Sequence, residues 1–132
     1  MAQPLEVSFP GGKRVDVKVG DFDIATDQAV KNGGDASAPE PFMLFLASIA
    51  ACGGIYALNF CQTRDIPIDG LGLSMDWERD PQDAQNTLAR LRLRLPAGFP
   101  QQYRDSIVRA IDLCAVKKNI LQPPTFEVLI ED

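Results

Sequence analysis

The chain of 132 residues contains no histidine. That excludes a Cys–His or Ser–His catalytic pair and any histidine-based metal site, leaving acid–base work to Arg, Asp, Glu, Lys or Cys. Cysteine is sparse as well. Three cannot form a fully paired disulfide framework, and a chain of this length rarely needs one. Positive charge is in deficit, with 13 Lys and Arg against 18 Asp and Glu, and the basic residues are scattered. Nucleic acid and anionic membrane both require a basic patch, so neither is an expected partner. The first residues lack a basic stretch followed by an apolar one. No signal peptide is read from them, and a reducing cytoplasm is the expected compartment. Internal repeats and low-complexity runs are missing too. What remains, 45% hydrophobic and 23% charged, is the balance of a soluble globular protein. The expectation is one domain over residues 1–132.

The most conspicuous feature is a stretch without charge, residues 41–63, bracketed by Glu40 and Arg64. It is long enough to span a bilayer. It also contains Ser48, Gly53, Gly54, Asn59 and Gln62, and many of its apolar residues are only alanine. The expectation is therefore a helix buried on nearly all sides by its own protein. Pro41 suits its first turn, where a missing N–H costs nothing. Before it, Leu5, Val7 and Phe9 alternate with polar or small residues, Pro10-Gly11-Gly12 signals a turn, and Val15, Val17 and Val19 alternate again. With Phe22–Ala25 these segments predict an N-terminal antiparallel meander, followed by a Gly-rich loop over 31–39.

After the helix, Leu71–Trp77 reads as a strand, 78–86 as a polar hairpin tip, and Leu91, Leu93 and Leu95 as a half-buried strand whose arginines at 90, 92 and 94 form a solvated face. A second helix is predicted from Gln101 to about Leu113, its stripe Tyr103, Ile107, Ala110, Ile111 and Cys114 facing the core. A short helix or turn over 115–121 and a last strand through Phe126, Val128 and Ile130 complete the order β-β-β-α-β-β-α-β, an α+β fold.

Cys52 and Cys61 lie nine residues apart on one helix, pointing to nearly opposite faces about 13 Å apart along the axis, so they cannot join. Either could meet Cys114. Context favours Cys52, which follows Ala50-Ala51 and precedes Gly53-Gly54. Two glycines inside a helix cost about 1–2 kcal/mol relative to alanine, which close approach of a backbone or a ligand beside Cys52 would offset.

The stretch Ala38-Pro39-Glu40-Pro41-Phe42-Met43-Leu44 through Ala50-Ala51-Cys52, together with Cys114-Ala115-Val116 some sixty residues later, resembles the OsmC/Ohr family. The order of meander, cysteine helix, hairpin, second cysteine helix and final strand resembles it as well. That resemblance implies an intertwined homodimer acting as a thiol-dependent peroxidase of organic hydroperoxides. Cys52 would be the peroxidatic thiolate and Cys114 the resolving thiol. An external dithiol would be the reductant, with no bound cofactor or metal. It further implies an activating arginine from the N-terminal strands, for which Arg14 is the candidate and Lys13, on the opposite face, the alternative. One departure stands out. Family members carry a glutamate directly after the helix-starting proline to hold that arginine, and this chain has Phe42 there, leaving Glu40 as the nearest carboxylate. The departure opens a second reading, a homodimer that binds a small apolar ligand beside Cys52 with Phe42 filling part of the pocket. Asp21, Asp23 and Asp27 are spaced like part of a calcium loop, but its glycine and terminal glutamate are missing, so they are read as strand-edge and turn carboxylates. Tyr56 and Trp77 are read as core or dimer contacts.

Overall fold

A computed structural model describes residues 3–131 of the chain. Its elements are β1 (Glu6–Gly11), β2 (Arg14–Val19), β3 (Phe22–Thr26), α1 (Pro41–Thr63), β4 (Gly72–Asp80), β5 (Asp83–Arg94), α2 (Arg104–Asp112) and α3 (Ala115–Leu121). Short 3-10 turns cover Val30–Asn32 and Gln101–Tyr103. The class is α+β, and the chain gathers into two compact units, Met1–Ala47 and Ser48–Asp132.

The first unit is built on the antiparallel sheet β1-β2-β3. The predicted alternation sets its register, with Val7 opposite Val17 and Val17 opposite Ile24. Gly12 and Gly20, at φ +59 and +58, make the two reversals in a conformation that favours glycine. The loop that follows is wound around a buried carboxylate. Asp27 accepts hydrogen bonds from the Ser37 hydroxyl (2.6 Å), the Ser37 N–H (3.0 Å) and the Gln28 N–H (2.7 Å). Together with the Asp35 N–H, these donors hold its carboxyl down to about 2, the Ser37 hydroxyl contributing most. Gly34 passes so close to this knot that a Cβ there would lie 2.1 Å from the Gln28 carbonyl oxygen. Asp27 is thus a turn carboxylate, as its sequence setting predicts. Its backbone and carboxylate together replace the regular hydrogen bonding that a Gly-rich segment cannot supply.

The second unit packs α2 and the β4–β5 hairpin around the later turns of α1. Ala57, Phe60, Cys61 and Ile107 form the buried centre, flanked by Leu71, Leu93, Leu95, Phe99 and Tyr103. Phe60 meets Tyr103 edge-on, ring centroids 5.8 Å apart, and the Arg64 guanidinium lies 3.6 Å over the Phe60 ring. In the hairpin, Leu73 pairs with Leu93, Met75 with Leu91 and Trp77 with Ala89 on one face. The strands run further than predicted, with Glu78 opposite Leu88 and Arg79 opposite Thr87. Polar side chains do not interrupt a ladder made by the backbone, so the tip shrinks from 78–86 to the turn at Pro81-Gln82.

Three other expectations are corrected. The second helix is a 3-10 turn leading into the nine-residue α2, so residues 101–113 are not one continuous helix. The last strand is not formed. Residues 123–131 lie outside any sheet, with Phe126, Val128 and Ile130 at 84, 94 and 90% exposure. Their alternation is that of a strand, but a strand requires a partner edge, and within the described residues this segment pairs with none. Finally, α1 is not buried on nearly all sides. Only Ile49, Gly53, Ala57, Phe60 and Cys61 are covered, whereas Phe42, Met43, Phe45 and Ile55 are exposed. By length and composition alone, α1 could cross a membrane.

Candidate functional site

Cys52 sits at the middle of α1, half-buried. Cys114 is buried but does not lie on α2 as the helical stripe predicts. The chain leaves helical conformation after Asp112, and Cys114, at φ −51 and ψ 131, is the residue that starts α3. The stripe still turns it inward, because its N–H reaches back to the Ile111 carbonyl (3.2 Å) and keeps the last turn in register. Its side chain makes no cap to α3. Cys52, on the neighbouring helix, lies against this turn, with the Cys114 thiol and the Val116 and Ala115 amides close enough to act on its sulfur.

Of the two encounters the sequence allows, the one found between neighbouring side chains is Cys52 with Cys114. The electrostatics follow from the geometry. Partial burial pushes the Cys52 thiol up, but the Cys114 thiol and the Val116 and Ala115 amides donate to the thiolate, and together they bring Cys52 below its ordinary value. Cys114 moves the other way. Burial raises it, and so does the adjacent Cys52 sulfur, which the Lys117 and Val116 amides only partly counter. Cys61, buried in the aromatic centre, is raised by burial, which the nearby Arg64 charge only partly counters.

The paired glycines beside Cys52 have separate explanations. A Cβ on Gly53 would lie 3.1 Å from Leu91, 3.2 Å from Leu73 and 3.4 Å from Ile111, so side chains of the hairpin and α2 close onto the helix there. Gly54 has open space at the same position.

The other two sequence candidates belong to the first unit. Arg14 opens β2 and is paired with Asp16, its Nη2 2.8 Å from one carboxylate oxygen and 3.1 Å from the other. Its Nε is buried without a hydrogen-bond partner among the described residues. Glu40 is occupied by the loop, its Oε1 accepting from the Ala29 N–H (3.2 Å) and the Asn32 side-chain amide (3.5 Å). Arg14 is therefore held by Asp16 rather than Glu40. Strand spacing carried that signal, because residues two apart on β2 share a face. The amides of Ala115 and Val116 carried none, since every residue but proline presents the same N–H. Among the described residues, no group of three or more His, Cys, Asp or Glu side chains could hold a metal ion.

Comparison with solved structures returns the same architecture. A Psychrobacter arcticus protein assigned to the osmotic stress and detoxification response is 18% identical, with a TM-score of 0.73 over 90% of this chain and 88% of its own. An organic hydroperoxide resistance protein OsmC from Legionella pneumophila is 17% identical, with a TM-score of 0.54 over 91% and 90%. An OsmC-like protein from Mycoplasma pneumoniae is 16% identical, with a TM-score of 0.61 over 93% and 90%. At these identities the likeness is one of fold. No protein of curated function matches the sequence. The sequence profile of OsmC-like proteins matches residues 33–129, a span from the loop ahead of α1 through both cysteines of the pair, and on that match the chain belongs to the OsmC-like protein family.

Proposed function

We propose that this protein is a thiol-dependent peroxidase that reduces organic hydroperoxides through Cys52 and Cys114. The observation that carries the reading is the opposite displacement of the two thiols at one hydrogen-bonded contact, Cys52 lowered and Cys114 raised. A peroxidatic cysteine must be a thiolate, and its resolving partner must wait as a thiol within reach. The name of the Legionella relative points the same way.

In the first step the Cys52 thiolate attacks the terminal oxygen of ROOH. The O–O bond breaks, an S–O bond forms, and the alkoxide takes a proton and leaves as ROH. Cys52 is oxidised to the sulfenic acid and the peroxide is reduced. In the second step the Cys114 sulfur attacks the Cys52 sulfur, water departs, and a disulfide forms. An external dithiol then returns both to thiols by exchange, in a cytoplasmic setting. No bound cofactor or metal takes part. Family resemblance assigns Arg14 the part of the activating cation. The amides of Ala115 and Val116 supply stabilisation that does not depend on it.

We further propose that the working form is a homodimer. The exposed apolar face of α1 and the exposed alternating segment 126–130 are the surfaces a second copy would cover. The second reading, a homodimer that binds a small apolar ligand without turnover, is favoured by the exposed Phe42 and Phe45, whose rings pair at 5.7 Å at the start of α1.

Thiol titration during reaction with cumene hydroperoxide separates the two. The peroxidase consumes two thiols per chain and forms a Cys52–Cys114 disulfide. Slow, incomplete loss of thiols would favour the binding protein.

A further inference from the structure

The outward face of the β4–β5 hairpin carries a ladder of cross-strand ion pairs that is one carboxylate short. The register sets Asp76 opposite Arg90, Ser74 opposite Arg92 and Gly72 opposite Arg94. The ion pairs are diagonal. Arg90 reaches Glu78 at 2.8 Å, and Arg92 reaches Asp76. Each arginine of β5 thus takes the acidic residue one step further along β4. Continued once more, the pattern asks for a carboxylate at position 74, and the residue there is Ser74.

Arg94 consequently has no carboxylate partner among the described residues. Its Nε donates to the Gly70 carbonyl at 3.3 Å, which fixes the plane of the guanidinium and leaves both Nη groups to point elsewhere. The guanidinium lies across Gly72, where a Cβ would come within 2.3 Å of Nη2, so a glycine is what lets it lie flat on the strand. Beside it is a cleft of about 270 Å³ lined by Gly72, Leu73, Ser74, Arg92, Leu93 and Arg94. A serine hydroxyl, a pinned guanidinium and a second arginine already bound on one side to Asp76 therefore surround a space at the missing rung.

We propose that this cleft is a binding site for a small carboxylate, which completes the ladder by bridging Arg94 and Ser74. A planar, bidentate acceptor matches the guanidinium fork better than a spherical anion, and the pattern it extends is itself made of carboxylates. The proposal draws on nothing from the thiol chemistry and stands or falls apart from it. Because the site is open to solvent, the expected affinity is weak, a dissociation constant of roughly 1–10 mM.

The test is titration of the full-length protein with sodium acetate, followed by NMR at the Arg94 Nε–H resonance, with sodium chloride at matched ionic strength as reference. The expected result is a saturating shift with acetate that chloride does not reproduce. Three variants sharpen it. Arg94→Gln removes the fork. Ser74→Asp supplies the missing carboxylate from within and occupies the site. Gly72→Ala displaces the guanidinium, whose flexible end can move without disturbing the strand. Each should weaken acetate binding by about tenfold or more, monitored in Arg94→Gln at the Ser74 amide. A non-saturating response equal to that of chloride would overturn the proposal. So would undiminished binding in a folded Ser74→Asp or Gly72→Ala protein, and saturation by inorganic phosphate but not by acetate would overturn the carboxylate assignment.

Discussion

Cys52 and Cys61 are the same residue type on the same helix, nine positions apart, yet their surroundings give them opposite chemistry. Around Cys61 are Phe60, Ala57 and Ile107, and burial among them raises the thiol more than the Arg64 charge lowers it, so it serves as a small apolar filler. Around Cys52 the second unit directs a thiol and two backbone amides at the sulfur, and partial burial is outweighed. The difference shows that donors, rather than burial as such, decide whether a helix cysteine becomes a thiolate. Helix geometry makes the separation possible, because nine residues turn the chain by about two and a half turns and present the two sulfurs to unrelated neighbours.

The comparison can be broken by exchanging serine for each thiol in turn. Cys52→Ser should abolish the two-thiol consumption by an organic hydroperoxide while leaving the thermal midpoint nearly unchanged. Cys61→Ser should leave that consumption intact and lower stability by about 1–3 kcal/mol, because it puts a hydroxyl among the apolar and aromatic side chains of the buried centre. If Cys61→Ser were the variant that stopped consumption, the assignment of roles would be reversed.

The glycines next to Cys52 sharpen the same contrast on a smaller scale. Gly53→Ala should destabilise, since a Cβ 3.1–3.4 Å from Leu91, Leu73 and Ile111 overpacks the contact at a cost of about 1–3 kcal/mol, of which helix propensity returns only about 1. Gly54→Ala meets open space and should stabilise by up to about 1 kcal/mol in chemical denaturation. The smallest effect concerns the donors. Cys114→Ala removes the largest of the lowering influences and leaves the amides of Ala115 and Val116, so the pH midpoint of Cys52 alkylation should rise. A midpoint that did not move would show the amides to be sufficient alone.

Much of this was readable in advance, for local reasons. Val7, Val17 and Ile24 fall opposite one another because side chains along paired strands alternate between faces, and Pro41 and the polar residues after Gln62 bound α1 because backbone chemistry confines it there. The Cys52–Cys114 encounter was one of two allowed by periodicity. Other features depend on partners that single-residue patterns do not name. Asp16 holds Arg14 and Asp27 gathers the loop through donors that include plain backbone amides, which any sequence presents. The strand pattern of Phe126, Val128 and Ile130 is present in the residues, but among the described residues it pairs with no strand edge.

The loop wound around Asp27 sets an order of events in acid. Its carboxyl titrates at about 2, against 3.8 when unconstrained, so the folded form binds the proton less readily than the unfolded one. The stabilisation is therefore complete above roughly pH 4 and is lost as pH falls through 2. A descending titration should leave hydrogen exchange at Gln28 and Ser37 unchanged down to roughly pH 4 and increase it as the pH falls towards 2. Release of the loop would thus follow the protonation of a single carboxyl.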